Sequence, residues 1–433
     1  MFLAKRWQCC ILAGKMNGLL TNSKSLLPGC QWLLLCAVLI LASGCRKAGG
    51  DPGKPLQKQD VFTVVDMRGV EVAVPGKIRR VVSIDDGFTA SVLAVLGEID
   101  KMVGLGSSCI QRNFNYEFET ISGTAYAYEN GRNPVSVLHP FLRELPLVAA
   151  SNAALNYERL AQLDPDVVIL RAGSCTFGCL EEEKTIQALQ RMASLGIPVV
   201  VLNSATCATS HTLESISEEI RLLGQLFGKA EQAGKLAQML EENAREVQQQ
   251  TAALAEKERP RVLLLGLSPK ARSGGAAANT KGTDTMESHF IEAYAHARNA
   301  YEGPGGRSSA LILSAEQILT LNPDVILLPT SSGYHPPREL YEAPYFQNLQ
   351  SLKAVQNRRV YALPWMPCNC AKRLEYPIEL LITAKAAHPE LFSTWKVHEW
   401  VLGFYTDLYG IDEPTAKKLR SAQWLDWMVE ANF

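Results

Sequence analysis

Residues Tyr157–Leu170 and Ala315–Leu328 are two versions of one unit, set 158 positions apart. Glu158, Leu163, Pro165, Asp166, Val167 and Leu170 recur as Glu316, Leu321, Pro323, Asp324, Val325 and Leu328. In each copy a helical run stops at Asp-Pro-Asp or Asn-Pro-Asp, because the residue before proline is pushed out of the α region. A β-branched run follows. Asn156 and Ser314 stand before the helices as caps, and Ser314 with Gln317 forms a capping box. Generic helix–turn–strand grammar is the plain alternative. Matching units on both sides of one lone helical run favour two similar α/β halves.

That run is His211–Arg259. From Ala230 its small or apolar residues fall at Ala230, Ala233, Ala237, Leu240, Ala244, Val247, Thr251 and Leu254, the alternating steps of three and four that line one helix face. Lys229–Lys257 as a single helix would be about 43 Å long. It is expected to be the only rigid link between the halves, with Gly224 and Gly228 marking where a shorter helix ends and this one begins. Around it, strands alternate with helices, which implies mostly parallel sheets with helices on their faces. After a hairpin at Val61–Val74, strands are expected at Arg80–Ile84, Met102–Leu105, Val167–Arg171 and Pro198–Leu202. Those of the second half are Arg261–Leu265, Val325–Leu328 and Arg359–Leu363. Helices are expected at Thr89–Leu96, Tyr157–Leu163, Glu181–Leu195, Thr285–Ala297 and Ala315–Leu321. Three more helical stretches follow at Pro377–Ala387, Thr394–Tyr409 and Glu413–Glu430. Gln111–Ser151, rich in Tyr, Asn and Pro, takes no assignment.

A chain of 433 residues, 47% hydrophobic and 20% charged, can build two ordinary cores. Its net charge of −1 comes without any basic block, so nucleic acid is not an expected partner. The cations Lys5, Arg6, Lys15 and Lys24 precede the apolar run Trp32–Ala42, which is too short to span a bilayer as a helix. Residues 1–44 therefore read as a secretory signal, with Met16 an alternative start. Leu41-Ala42-Ser43-Gly44-Cys45 resembles the lipobox of bacterial lipoproteins, in which Cys45 is lipidated. Residues 45–60 then form a flexible tether. The protein is expected in the bacterial periplasm or at the cell surface, anchored to a membrane through Cys45.

Further markers are Asp66-Met67-Arg68-Gly69 running to Arg80-Val81-Val82-Ser83, Leu96-Gly97 with Val103-Gly104, the two Pro-Asp-Val units, and Leu195-Gly196-Ile197-Pro198-Val199-Val200. Ala387-His388-Pro389-Glu390-Leu391-Phe392 followed by Phe404-Tyr405 completes the set. In this order, over Val61–Tyr409, they resemble substrate-binding proteins of the iron-complex and cobalamin type, which serve ATP-driven importers. The resemblance implies an α/β chain of two Rossmann-like lobes, with mostly parallel sheets, joined by one long α-helix. The lobes would be residues 61–210 and 260–433, with 211–259 between them. It also implies a monomer without catalytic residues or a catalytic cofactor, partnered by an ABC permease and its ATPase. Arg373-Leu374-Glu375-Tyr376-Pro377 resembles a branch that includes oxyanion binders. Two positions depart from the family: Ser91 stands where a permease-docking Glu is frequent, and His296-Ala297 replaces a Gly-Gly before Arg298-Asn299.

In open α/β sheets, ligands bind beyond the carboxyl ends of the strands. The loops there begin at Asp85-Asp86, Gly106–Arg112, Ala172–Cys179, Asn203–Ser210, Ser268–Asn279, Ser331–His335 and Pro364–Arg373. Outside the leader and Cys45, all six cysteines fall in them: Cys109, Cys175, Cys179, Cys207, Cys368 and Cys370. Disulfides that brace loops, thiolates that contact a ligand or soft metal, and reduced thiols without a role are all compatible with this placement. Cys368 and Cys370 are too close in sequence to bridge each other well. The loops also carry Arg112, Arg171, Lys270, Arg272 and Arg373, with Tyr334 and Trp365 as apolar walls. As a group these cations suggest an anionic ligand, although any one of them could be a solvated rim charge. The expected cargo is metal-containing: an iron complex such as a siderophore or haem first, cobalamin or molybdate and tungstate next. A metallocluster oxidoreductase is the reading from another class. No phosphate loop, nucleophile elbow or zinc-protease helix supports an enzyme.

Overall fold

The computed structural model describes residues 60–150, 154–207, 212–267, 272–273, 277–304, 311–329, 336–366 and 372–433. The leader, Cys45, the tether up to residue 59, and Lys270, Tyr334, Cys368 and Cys370 lie outside the described residues.

Strands β1 (Val61–Val65) and β2 (Glu71–Pro75) form the opening antiparallel hairpin. Then come β3 (Val81–Ile84), α1 (Phe88–Val95), β4 (Met102–Leu105), a second hairpin of β5 (Phe114–Glu119) and β6 (Ala125–Gly131), and α2 (Pro134–Leu138). The first lobe is completed by α3 (Tyr157–Gln162), β7 (Val167–Ala172), α4 (Glu183–Ser194) and β8 (Val199–Asn203), followed by helices α5 (Glu214–Leu226) and α6 (Ala230–Thr251). Beyond them are β9 (Arg261–Leu264), β10 (Ala278–Thr280), β11 (Arg298–Asn299), β12 (Leu311–Leu313), β13 (Val325–Leu328) and β14 (Val360–Ala362). Two four-stranded sheets, ordered β4-β3-β7-β8 and β11-β9-β13-β14, are parallel throughout. Every residue of β3, β7 and β13 is buried, as parallel strands covered on both faces must be. The two-lobed α/β architecture is thus the one expected.

The repeated unit shows how each lobe closes. Asp166 Oδ2 accepts from the amides of Arg79 and Arg80 at 2.6 and 2.9 Å, and Asp324 Oδ2 accepts from the amide of Arg261 at 2.8 Å. The arginines return the contact. Arg80 donates to the carbonyls of Leu163 and Asp164, and Arg261 to the carbonyl of Leu321, satisfying helix-end carbonyls in both copies. The residue before each proline is not extended, as expected, but left-handed, with φ of 43° at Asp164 and 38° at Asn322. Asp and Asn tolerate that region better than other side chains do.

Helix α6 is shorter than its seam suggests. It has 22 residues, roughly 33 Å, and ends at Thr251 rather than continuing to Lys257. Thr251 Oγ1 reaches the Tyr294 carbonyl at 2.9 Å and His296 Nδ1 at 2.7 Å, which draws the helix end into the second lobe. Nor does it stand alone. It packs against α5, and a continuous core runs from Val81 and Phe88 through Ala237 and Leu240 to Val262, Ile291 and Ile378. The helix Tyr376–Ala387 lies inside this core with all twelve residues buried.

The unassigned stretch supplies a second link. Phe114, Tyr116 and Phe118 alternate with polar residues on β5, and the hairpin they build is laid on the other lobe. Phe118 joins the core of Leu263 and Ile318, and Tyr116 Oη donates to Glu339 at 2.7 Å. The Ile121 amide donates to the Glu342 carbonyl at 2.8 Å, and Trp424 Nε1 to the Glu129 carbonyl at 2.8 Å. The expectation of a single link through the long helix is therefore corrected.

Gly228 ends α5 in the left-handed conformation, φ 65°. Gly224 does something else: a Cβ there would stand 2.2 Å from Ala233 Cβ, so its absence lets α5 and α6 touch. Gly224→Ala gains about 1 kcal/mol of helix propensity but overpacks a buried contact at a cost of about 1–3 kcal/mol. We expect the urea midpoint to fall. A midpoint that is unchanged or raised would show that the two helices separate freely.

Candidate functional site

Strands β3 and β7 are neighbours, so the loops at their carboxyl ends face each other. After β3 the chain turns through Asp85-Asp86-Gly87. Asp85 accepts from Ser83 Oγ at 3.0 Å and from the amides of Gly87 and Thr89 at 2.6 and 3.2 Å. It fixes the turn and the first amides of α1. Gly87 has φ 117°, and a Cβ there would meet Asn133 Nδ2 at 2.7 Å, so the turn needs glycine. This leaves Asp86 fully buried, with no hydrogen-bond partner for either carboxylate oxygen among the described residues. Its neighbours are Arg171 Nη1 at 4.0 Å, from the same lobe, and Arg373 Nη2 at 3.6 Å, from the other.

Arg171 is the penultimate residue of β7 and is fully buried. Its Nε and Nη2 donate to the two oxygens of Glu219 on α5 at 2.6 and 2.7 Å. Nη1 donates across the lobes to the Lys372 carbonyl at 2.8 Å, and the guanidinium lies 3.9 Å from the Phe88 ring centre. Lys372 pairs with Glu379 and, at 3.5 Å, with Glu287. Arg373 Nη1 also donates to Met366 Sδ at 3.3 Å.

Burial pushes the Asp86 carboxyl above the usual carboxylate range, although Arg373 and Arg171 pull the other way. Burial does the same to Glu219 against the pull of Arg171. Glu287 is the opposite case: against its burial, Lys281 and Lys372 hold it down to about 2.

The other sequence candidates fall into separate places. Arg272 pairs with Glu339 at 3.6 Å and stacks on Tyr345, its carbon 4.2 Å from the ring centre. Trp365 is buried in an aromatic cluster, 5.6 Å from Phe114 and 5.4 Å from Trp424. Arg112 is exposed. Cys179 and Cys207 form a disulfide that ties two loops of the same lobe and does not bridge the lobes. Cys109 and Cys175 are buried thiols with their sulfurs 3.4 Å apart. The alternative of a solvated rim charge does not describe Arg171, Arg272 or Arg373. Each has a carboxylate beside it.

Glu219, Glu287, Lys372 and Glu379 were not among the candidates. Glu219 left a readable trace, because it lies between Ile216 and Ile220 on the buried face of α5, where an ionisable residue needs a partner. Ser91, singled out in the sequence as a departure from the family pattern, is fully buried.

The chain matches the periplasmic binding protein family over residues 81–365. Among solved structures it is similar to a periplasmic solute binding protein of Veillonella parvula, 23% identical, with TM-score 0.64 over 86% of this chain and 100% of that one. It is similar to the molybdate-bound MolA of Haemophilus influenzae, 18% identical, TM-score 0.59, covering 81% of this chain and 98% of that one. CeuE of Helicobacter pylori in a nickel–histidine complex is 18% identical, with TM-score 0.56 over 83% and 99%. No curated protein sequence matches. The chain belongs to the periplasmic binding protein family, and it is a binder rather than a catalyst.

Glu219→Gln leaves the Arg171 charge buried without its carboxylate, a loss of about 3–5 kcal/mol. Replacing both residues (Arg171→Met with Glu219→Leu) should destabilise less than either single change in urea unfolding. Additive losses would mean that the two charges act separately.

Proposed function

We propose that this periplasmic binding protein is the solute-capturing component of an ABC importer. Its cargo is a metal-containing ligand, with an iron complex of siderophore or haem type preferred over cobalamin, molybdate and tungstate. Capture occurs where the strand-end loops of the two lobes meet, and delivery is to a permease driven by an ATPase. The observation that carries this reading is the position of Asp86. It occupies, without a hydrogen bond among the described residues, the space between a guanidinium of the first lobe and one of the second. An oxygen-rich anion entering there exchanges with the Asp86 carboxylate and takes hydrogen bonds from Arg373, a better-matched acceptor for a planar donor fork. Support from relatives is in kind: MolA is bound to molybdate and CeuE carries nickel with histidine, both metal-containing cargoes.

Absorption and elemental analysis of protein isolated from its own compartment test the reading. Iron with charge-transfer colour or a Soret band supports the preferred cargo. Corrin bands, or molybdenum or tungsten without colour, move the choice to an alternative. Protein that carries no metal and binds none of these sinks it. The exchange also sets a pH dependence. An anion beside Asp86 favours its protonated form, so binding takes up a proton and affinity rises as pH falls. Because burial already raises the free carboxyl, the window lies above the ordinary carboxylate range. Asp86→Asn should flatten the pH profile in calorimetry. An equally steep profile in that variant assigns the proton to another group.

A further inference from the structure

Two cysteine thiols border the charge exchange just described, Cys109 being one of the groups that raise the Asp86 carboxyl. Cys109 follows β4 and Cys175 follows β7, on strands that both flank β3. Their loops are brought together by close packing and by one hydrogen bond. A Cβ on Gly106 would stand 2.7 Å from Ile84 Cα, so glycine lets the first loop lie directly over the end of β3. Thr176 Oγ1 donates to the Gly106 carbonyl at 2.5 Å, pinning the second loop to the first. The result is a pair of sulfurs 3.4 Å apart, 2% and 4% exposed.

Ser107 organises the pair. Its Oγ accepts from the Cys109 amide at 3.1 Å and lies 3.0 Å from Cys175 Sγ. While Cys175 is a thiol, either the hydroxyl or the S–H can donate in this contact. Once that sulfur is a thiolate, the hydroxyl can only donate to it.

We propose that Cys109 and Cys175 form a dithiol site for one soft, thiophilic metal ion of the zinc, cadmium or copper(I) class. A metal about 2.3 Å from each of two sulfurs in tetrahedral geometry holds them roughly 3.8 Å apart, close to the spacing already present. Thiolates select such ions over hard cations. As the metal binds, each thiol releases one proton to solvent and each sulfur gives a lone pair to the metal, with no change of oxidation state. Affinity therefore rises with pH. Its donors belong to one lobe, and Cys109 lies close enough to Asp86 to help raise that carboxyl, so the metal site borders the proposed anion exchange without using Arg171 or Arg373.

The test uses cadmium(II) and the full mature chain, isolated under argon. One equivalent should bind with a thiolate-to-cadmium charge-transfer band, more tightly at higher pH. It should protect Cys109 and Cys175 together from iodoacetamide, read by peptide mass spectrometry of the unmutated protein. Cys109→Ser and Cys175→Ser should each weaken binding at least tenfold, with folding checked by circular dichroism. Equal alkylation of both cysteines with and without cadmium overturns the proposal. So does a Cys109–Cys175 disulfide in the isolated protein, or an undiminished band in the double serine variant. Protein that carries its native cargo but ignores cadmium sinks this site alone. Protein that binds cadmium but none of the proposed metal-containing ligands sinks the importer cargo alone.

Discussion

The guanidinium of Arg171 is the interaction on which the strand ends depend. A fully buried charge costs several kcal/mol to desolvate, and the cost is offset only when its donors and its faces are all used. Here two donors meet Glu219 in a bidentate pair, a third crosses to the Lys372 carbonyl, and the plane rests on Phe88. Four elements are fixed by one side chain: β7 that carries it, α5 that neutralises it, α1 that stacks on it, and the second-lobe segment that receives its last hydrogen bond. Asp86 and Arg373 are then placed by consequence. The loop that carries Arg373 is held through the carbonyl of the residue just before it.

The same economy limits how the lobes move. One long helix between two independent bodies would leave them free to rock. Instead the core passes through α6 without a break, the β5–β6 hairpin is bound to the second lobe by Tyr116, Phe118 and Ile121, and Trp424 returns the contact at Glu129. Separating the lobes exposes apolar area on each of these surfaces, each worth about 25 cal/mol per Å². The exchange proposed at Asp86 and Arg373 requires none of these surfaces to part. Ligand capture by local exchange is the cheaper motion.

What could be read in advance divides along physical lines. The repeated unit, the capping box at Ser314, the opening hairpin and the parallel-sheet strands other than β11 were legible, because they are written in local spacing and in proline and Asx chemistry. The end of α6 was not, since Thr251 stops the helix by bonding to Tyr294 and His296 more than forty positions away. Alternation of Phe114, Tyr116 and Phe118 did announce a strand. It was masked by the Tyr, Asn and Pro around it. Site positions were legible as loop ends, but their electrostatics were not. Arg171, Arg272 and Arg373 look like free cations only until Glu219, Glu339 and Asp86 fold against them, and no local rule pairs residues 48 positions apart, as Arg171 and Glu219 are.

Charge compensation changes how selectivity must arise. Outside residues 1–44 the chain is acidic, with 39 Lys and Arg against 44 Asp and Glu, so long-range attraction does not gather anions. Within the site, Arg373 already has a carboxylate at 3.6 Å. Under the proposed function, an incoming anion is therefore weighed against Asp86 rather than against water, and weakly accepting or poorly shaped anions lose that comparison. Burial tips the balance, because it makes the ionised Asp86 costly to keep and its neutral form easy to reach. The neutral carboxyl can then donate a hydrogen bond to the anion that displaced it. A pre-paired site of this kind gives up some affinity for every anion, and in return it admits only those able to replace a carboxylate between two guanidinium groups.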